Sequence, residues 1–126
     1  MKVLIVDDAM TMRKIIGNVL KQLGFKPEDL IEATDGEDAW EKLQKYKDEV
    51  KIIFLDWNMP KMDGYEFLTL VRKHPEFNDV KIIMTTTETA KPKVIKALKA
   101  GANNYIAKPF SPQTLKEKLQ KLNIQV

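Results

Sequence analysis

The sequence predicts an α/β protein: a three-layer, doubly wound sheet of five parallel strands in the order 2-1-3-4-5, with helices on both faces. Three observations carry that expectation. Short apolar runs alternate with longer amphipathic stretches along the whole chain, the rhythm of repeated βα units. Val3-Leu4-Ile5-Val6, Lys51-Ile52-Ile53-Phe54-Leu55 and Lys81-Ile82-Ile83-Met84 are apolar at consecutive positions, which suits strands covered on both faces. No repeat, Ser/Gly linker or low-complexity tract interrupts the pattern, and right-handed crossovers between parallel strands leave few topologies open.

The elements follow in chain order. Val3 to Val6 form the first strand, and Met12, Ile15, Ile16, Val19, Leu20 and Leu23 recur at helical spacing until Gly24 stops them. The weaker run Asp29-Leu30-Ile31-Glu32 suits an edge strand, as does Asn104-Tyr105-Ile106-Ala107. Asp35-Gly36 opens a second helix carrying Ala39, Trp40, Leu43 and Tyr46, and Asp63-Gly64 opens a third carrying Phe67, Leu68 and Val71. The third is expected to end at His74-Pro75. Pro92 and Pro112 suit the first turns of a fourth and a fifth helix, where an N–H has no helical partner, and Gly101 suits the stop of the fourth.

Composition sets outer bounds. At 126 residues, 44% of them hydrophobic, the chain is expected to be one domain spanning 1–126. The absence of cysteine excludes disulfides, a thiolate nucleophile and Cys-ligated metal sites. A net charge of +3 argues weakly for nucleic acid, so none is expected as a partner. The N-terminal apolar run is too short for a signal peptide or membrane span and ends in carboxylates, which predicts a cytoplasmic chain without membrane insertion.

In doubly wound sheets, ligands bind at the carboxyl ends of the strands, where the strand order reverses. Those ends read Asp7-Asp8, Asp56, Thr85-Thr86-Thr87 and Lys108. Two carboxylates ~4 Å apart repel by roughly 4 kcal/mol at an effective dielectric of about 20, so such a cluster calls for a cation. Lys108 supplies one charge. An oxygen-only donor set without imidazole or thiolate suits Mg²⁺, which keeps waters and favours a phosphoryl ligand. A carboxylate facing a phosphoryl donor beside a metal and a lysine can act as the nucleophile, and Thr86 could donate a hydrogen bond to the product. Each residue alone has a plainer explanation: Asp8 as a helix cap, Asp56 as a turn former before Asn58-Met59-Pro60, Lys108 as a solvated residue before Pro109. Their joint placement at adjacent strand ends favours the site.

Val6-Asp7-Asp8, Asp56-Trp57-Asn58-Met59-Pro60, Met62-Asp63-Gly64, Met84-Thr85-Thr86, Ala100-Gly101-Ala102 and Lys108-Pro109-Phe110 together resemble the receiver domains of two-component response regulators, which have a flavodoxin-like fold, and within them the chemotaxis branch. The resemblance runs from end to end of the chain. It implies that a sensor histidine kinase phosphorylates Asp56, with Mg²⁺ held by Asp7, Asp8, Asp56 and the Asn58 backbone carbonyl, and with Lys108 pairing to the phosphoryl oxygens. Thr86 would be the switch hydroxyl and Tyr105 the aromatic that turns inward. Val94, Tyr105 and Lys118 match positions that contact the flagellar motor switch protein. Asn58 and Glu88 match positions that tune dephosphorylation, alone or with a phosphatase, whereas Thr87 departs from the usual small residue. A cis Lys108-Pro109 bond is also implied, as is a monomer that is a signalling switch rather than an enzyme.

Lysines at 91, 93, 96 and 99 and at 116, 118 and 121 make the last two helices basic, which could steer an acidic peptide or merely be a solvated face. His74 reads as a helix-end residue and Trp40 as packing, whereas Trp57 should report on Asp56. Three alternatives remain at this point. A stand-alone receiver in another phosphorelay would share the site but not the partner. A Mg²⁺-dependent phosphohydrolase forming an aspartyl phosphate would need a second acid/base Asp, where Asn58 stands, and a cap domain. A flavodoxin-like FMN carrier would need a hydroxyl- and glycine-rich loop in place of Asp7-Asp8.

Overall fold

The side chains of Val3, Leu4, Ile5 and Val6 are all buried, because the strand they belong to lies inside the sheet with helices above and below. The computed structural model describes residues 1–124. Its strands are β1 (Lys2–Val6), β2 (Leu30–Ala33), β3 (Val50–Leu55), β4 (Lys81–Thr86) and β5 (Asn104–Ala107). Its helices are α1 (Met10–Gln22), α2 (Gly36–Tyr46), α3 (Gly64–Arg72), α4 (Lys91–Lys99) and α5 (Pro112–Lys121). The strands are all parallel, in the order β2-β1-β3-β4-β5, so the two weak runs do lie at the edges.

Strand periodicity divides the apolar side chains between two cores. Leu4, Val6, Ile53, Leu55, Ile82 and Met84 face Ala39, Leu43, Phe67, Leu68 and Val71 of α2 and α3. Val3, Ile5, Ile52, Phe54, Ile83 and Ile106 face Ile16, Val19, Leu20, Leu115 and Leu119 of α1 and α5. This two-sided burial is what the unbroken apolar runs demanded.

Helix starts show which polar residues act locally. The Asp35 carboxylate accepts from the Asp38 N–H at 2.8 Å, and Asp63 exchanges hydrogen bonds with Glu66 as a capping box. Ser111 caps α5 through the Thr114 N–H. One plainer alternative falls away and one expectation needs correction. Asp8 does not cap α1, which begins after Ala9 without a side-chain cap; the Ala9 N–H instead donates to Asp7 Oδ1 at 2.9 Å. Asp29 does not belong to β2, because Pro27–Asp29 forms a single 3₁₀ turn in which the Asp29 carboxylate accepts from the Lys26 N–H. Trp40 packs on His74 and Phe77, and His74 Nδ1 bonds the Leu70 carbonyl, so both residues are structural as read.

At the opposite end of the sheet from the acidic residues, Arg72 gathers two connections, α3–β4 and α4–β5. Its guanidinium donates to the carbonyls of Phe77, Val80 and Gly101 and to Asn103 Oδ1, at 2.8 to 3.0 Å. Gly101, at φ +115°, allows the close approach.

Gly17 and Gly64 should respond to alanine with opposite signs. A Cβ on Gly17 would meet only Leu30 and Ile5 methyls at 3.7 and 3.9 Å, and the helix gains propensity, so Gly17→Ala is expected to stabilise by about 0.5–1 kcal/mol. A Cβ on Gly64 would fall 1.9 Å from the Asp56 carbonyl oxygen, so Gly64→Ala is expected to destabilise by about 1–3 kcal/mol. Urea denaturation midpoints check both signs.

Candidate functional site

The strand register assembles the site. Val6 pairs with Leu55 and Leu55 with Met84, so the residues that follow β1 and β3 emerge level with the end of β4. The Asp56 N–H bonds the Val6 carbonyl at 3.0 Å and the Lys108 N–H bonds the Thr86 carbonyl at 2.9 Å, carrying the backbone ladder into the loops. Asp7, Asp8 and Asp56, up to 49 residues apart in the numbering, thereby bring carboxylate oxygens within 4.8 Å of one another. Asp7 and Asp56 are buried, whereas Asp8 is exposed.

Lys108 crosses to this cluster from the end of β5. Its Nζ lies 2.6 Å from Asp7 Oδ2 and 3.5 Å from Asp56 Oδ2. The Lys108-Pro109 peptide bond is cis, as the resemblance implied. One ammonium against three carboxylates leaves the ionised cluster with an excess of two negative charges. Burial pushes the Asp56 carboxyl above the ordinary value; Lys108 pulls it down, Asp7 pushes it up, and the Trp57 N–H, donating to Oδ1 at 2.8 Å, pulls it down again. Desolvation outweighs the lysine.

A second set of contacts crosses the mouth of the site and converges on Glu88. Its backbone N–H donates to Thr86 Oγ1 at 3.2 Å, its carboxylate accepts from Asn58 Nδ2 at 3.1 Å, and its carbonyl accepts from the Tyr105 hydroxyl. The β3–α3 loop, the β4–α4 loop and β5 are thus tied through one residue. Burial raises the Tyr105 pKa, and the neighbouring charges of Glu88 and Asp56 add to it. Thr86 is fully buried, and Thr87 is exposed beside it. Tyr105 and Lys118 line one depression of about 220 Å³; Val94 is half-buried on α4 and does not line it.

Arg13 is a contributor that sequence reasoning missed. Its Nη1 donates to the Asp7 carbonyl at 2.7 Å and its Nε to Glu32 at 2.8 Å, which pins the turn carrying Asp7 and Asp8 to β2. A side chain that bonds a backbone carbonyl leaves no residue pattern to read. Thr85 lies buried with a hydroxyl that has no partner among the described residues.

An oxygen-only donor set at this spacing has the chemistry of a hard divalent cation site, and Mg²⁺ fits it. The comparisons with known proteins agree with that geometry. The model of the response regulator receiver domain matches residues 3–120, and the chain belongs to that family. It is 54% identical to the chemotaxis protein CheY1 of Helicobacter pylori over 120 residues, which cover 95% of this chain and 94% of the relative. The chemotaxis protein CheY4 of Vibrio cholerae superposes with a TM-score of 0.83 at 37% identity, covering 95% of this chain and 96% of that one. The CheX-CheY-BeF3-Mg complex of Borrelia burgdorferi contains a chain that matches with a TM-score of 0.84 at 28% identity, covering 98% of this chain and 90% of that one. Among the described residues no helix is long and apolar enough to cross a membrane.

The raised Asp56 pKa fixes a pH dependence. The folded chain holds this proton more tightly than the unfolded chain, so Asp56 favours folding most below about pH 4 and loses that contribution as pH rises through its folded value. Asp56→Asn is therefore expected to raise the thermal midpoint in metal-free buffer at pH 7, with the difference shrinking as pH approaches 4. Added Mg²⁺ should narrow the gap at pH 7 by stabilising the unsubstituted protein more. Differential scanning calorimetry with and without Mg²⁺ measures both.

Proposed function

We propose that this chain is the phosphorylation-controlled switch of a chemotaxis pathway, with Asp56 as the phosphoacceptor. The observation that carries the reading is the Lys108 ammonium set between Asp7 and Asp56 in a cluster of excess negative charge at the strand ends. A site that holds its nucleophile next to a lysine and a second carboxylate pair is suited to a phosphoryl group and a divalent ion together. The likeness to chemotaxis proteins of Helicobacter and Vibrio supports the pathway.

In the transfer, an Asp56 carboxylate oxygen forms a bond to phosphorus while the phosphorus–nitrogen bond of a histidine kinase's phosphohistidine breaks, and the departing imidazole nitrogen takes up a proton. Asp7, Asp8, Asp56 and the Asn58 backbone carbonyl would hold Mg²⁺, which when bound offsets charge on the phosphoryl oxygens. Lys108 exchanges part of its contact with Asp7 for the phosphoryl group. Trp57 keeps the Asp56 carboxylate oriented through its backbone N–H. The BeF3 and Mg named for the Borrelia complex, a phosphoryl-like group with this metal, support the pairing of the two at such a site.

Thr86 answers the new charge by turning its hydroxyl toward the phosphoryl group, which gives up the Glu88 N–H and alters the loop that also holds Tyr105. The surface formed by α4, β5 and α5, including Val94, Tyr105 and Lys118, then meets the flagellar motor switch protein. Asn58 and Glu88, hydrogen-bonded across the mouth, control the approach of the hydrolytic water or of a phosphatase, with Thr87 beside them. The protein acts as a cytoplasmic monomer over one domain, 1–126, assists its own phosphorylation and dephosphorylation, turns over no free substrate, and binds neither nucleic acid nor membrane.

Intact-protein mass spectrometry with acetyl phosphate tests the reading. One phosphoryl adduct is expected in the presence of Mg²⁺, none after chelation and none in Asp56→Asn. An adduct that forms without Mg²⁺ or survives in Asp56→Asn would displace the assignment.

A further inference from the structure

The helix α4 is weakly built into the fold. Its only fully buried residue is Ala97, whereas α1 buries Ile16, Val19 and Leu20, and α3 buries Phe67, Leu68 and Val71. Ile95 and Leu98 remain 40% and 44% exposed. The helix starts at Ala90 without a side-chain cap, and its first turn carries Lys91 and Lys93 with no acid, against the direction of the helix dipole.

Two of its lysines have partners on the neighbouring elements. Lys93 Nζ stands over the Trp57 ring, 4.8 Å from the centroid, and Lys96 Nζ over the Tyr65 ring at 4.3 Å. The two rings stack on each other at 5.5 Å with an interplanar angle of 14°. Successive turns of α4 are thereby fastened to a two-ring ladder that runs from α3 to the residue following Asp56. The same Trp57 donates its backbone N–H to Asp56 Oδ1.

The geometry points to a latch: Lys93 and Lys96, seated on Trp57 and Tyr65, hold α4 in the resting position, and phosphorylation of Asp56 loosens it. A phosphoryl dianion on the adjoining residue offers the Lys93 ammonium a stronger attractor than an indole face. Because the coupling is reciprocal, a chain with the latch already broken has less of this change left to make. The phosphorylation arm rests on the proposed function; the resting-state arm does not. The latch lies on the flank of α4 that faces α3, and it sets how readily the helix moves.

The test is amide hydrogen exchange followed by mass spectrometry on the full chain, comparing the unsubstituted protein with Lys93→Gln/Lys96→Gln and, separately, with Tyr65→Leu. Glutamine has nearly the helix propensity of lysine, so the double substitution removes the cations and little else. Without Mg²⁺ or phosphodonor, exchange of the α4 amides is expected to rise about five- to thirty-fold in the double variant, the effect of losing two solvent-facing cation–π contacts, with α1 and α5 unchanged. Tyr65→Leu should raise it in the same direction from the other side of the ladder. Acetyl phosphate with Mg²⁺ should then raise α4 exchange in the unsubstituted protein and by a smaller factor in the double variant. Unchanged resting exchange in both variants overturns the latch. Equal increments on phosphorylation, with the adduct verified by mass, overturn its coupling to Asp56. Absence of any adduct counts against the phosphoacceptor assignment alone, and the resting-state comparison still decides whether the latch exists.

Discussion

Three carboxylates within 4.8 Å, with one ammonium among them, form the constraint on which the rest of the structure depends. Such a cluster is unfavourable in water-excluding surroundings, and the fold tolerates it only because parallel strands end side by side and the cost is spread over a rigid sheet. The two hydrophobic layers on either side of β1, β3 and β4 supply that rigidity. Arg13 holds the turn that bears Asp7 and Asp8, and Lys108 bridges Asp7 and Asp56. An imbalance of charge kept in place by packing is what makes the site responsive: anything that brings positive charge changes the balance locally without threatening the core.

The proposed response has a defined route outward. Glu88 links Thr86, Asn58 and Tyr105, so a rearrangement of the Thr86 hydroxyl is felt in two loops and an edge strand. On the other flank, Trp57 joins Asp56 to Lys93 of α4. The elements reached by these contacts, the edge strand β5 and the helix α4, bury few side chains, whereas α1, α3 and the central strands lie under large apolar side chains. Segments of low local stability move at small energetic cost, which suits them to signal output.

Much of this was legible in the sequence, for physical reasons that differ from residue to residue. The consecutive apolar runs identified the central strands because burial on both faces removes alternation. The site residues were legible because a doubly wound sheet gathers its strand ends, so Asp7, Asp8, Asp56 and Lys108 could be placed together from position alone. Local chemistry misled at Asp29, drawn from β2 into a turn by Pro27, whereas at Asp8 the placement at a strand end had outweighed a good capping propensity that the helix leaves unused. What stayed hidden were contacts that join distant elements through flexible side chains: Arg13 to a carbonyl, Arg72 to two loops, and the α4 lysines to two aromatic rings. Lysines 93 and 96 read as a basic face, steering an acidic peptide or merely solvated, because spacing on a helix does not tell which neighbour lies alongside.

The central claim, that the acidic cluster is built to take one divalent cation, is tested most directly by isothermal titration of the metal-free protein with Mg²⁺ at neutral pH. The account predicts one saturable site per chain, lost when Asp7 and Asp8 are both replaced by asparagine while the thermal transition stays cooperative. Absence of saturable heat in the unsubstituted chain, or the same binding in the doubly substituted one, would contradict it.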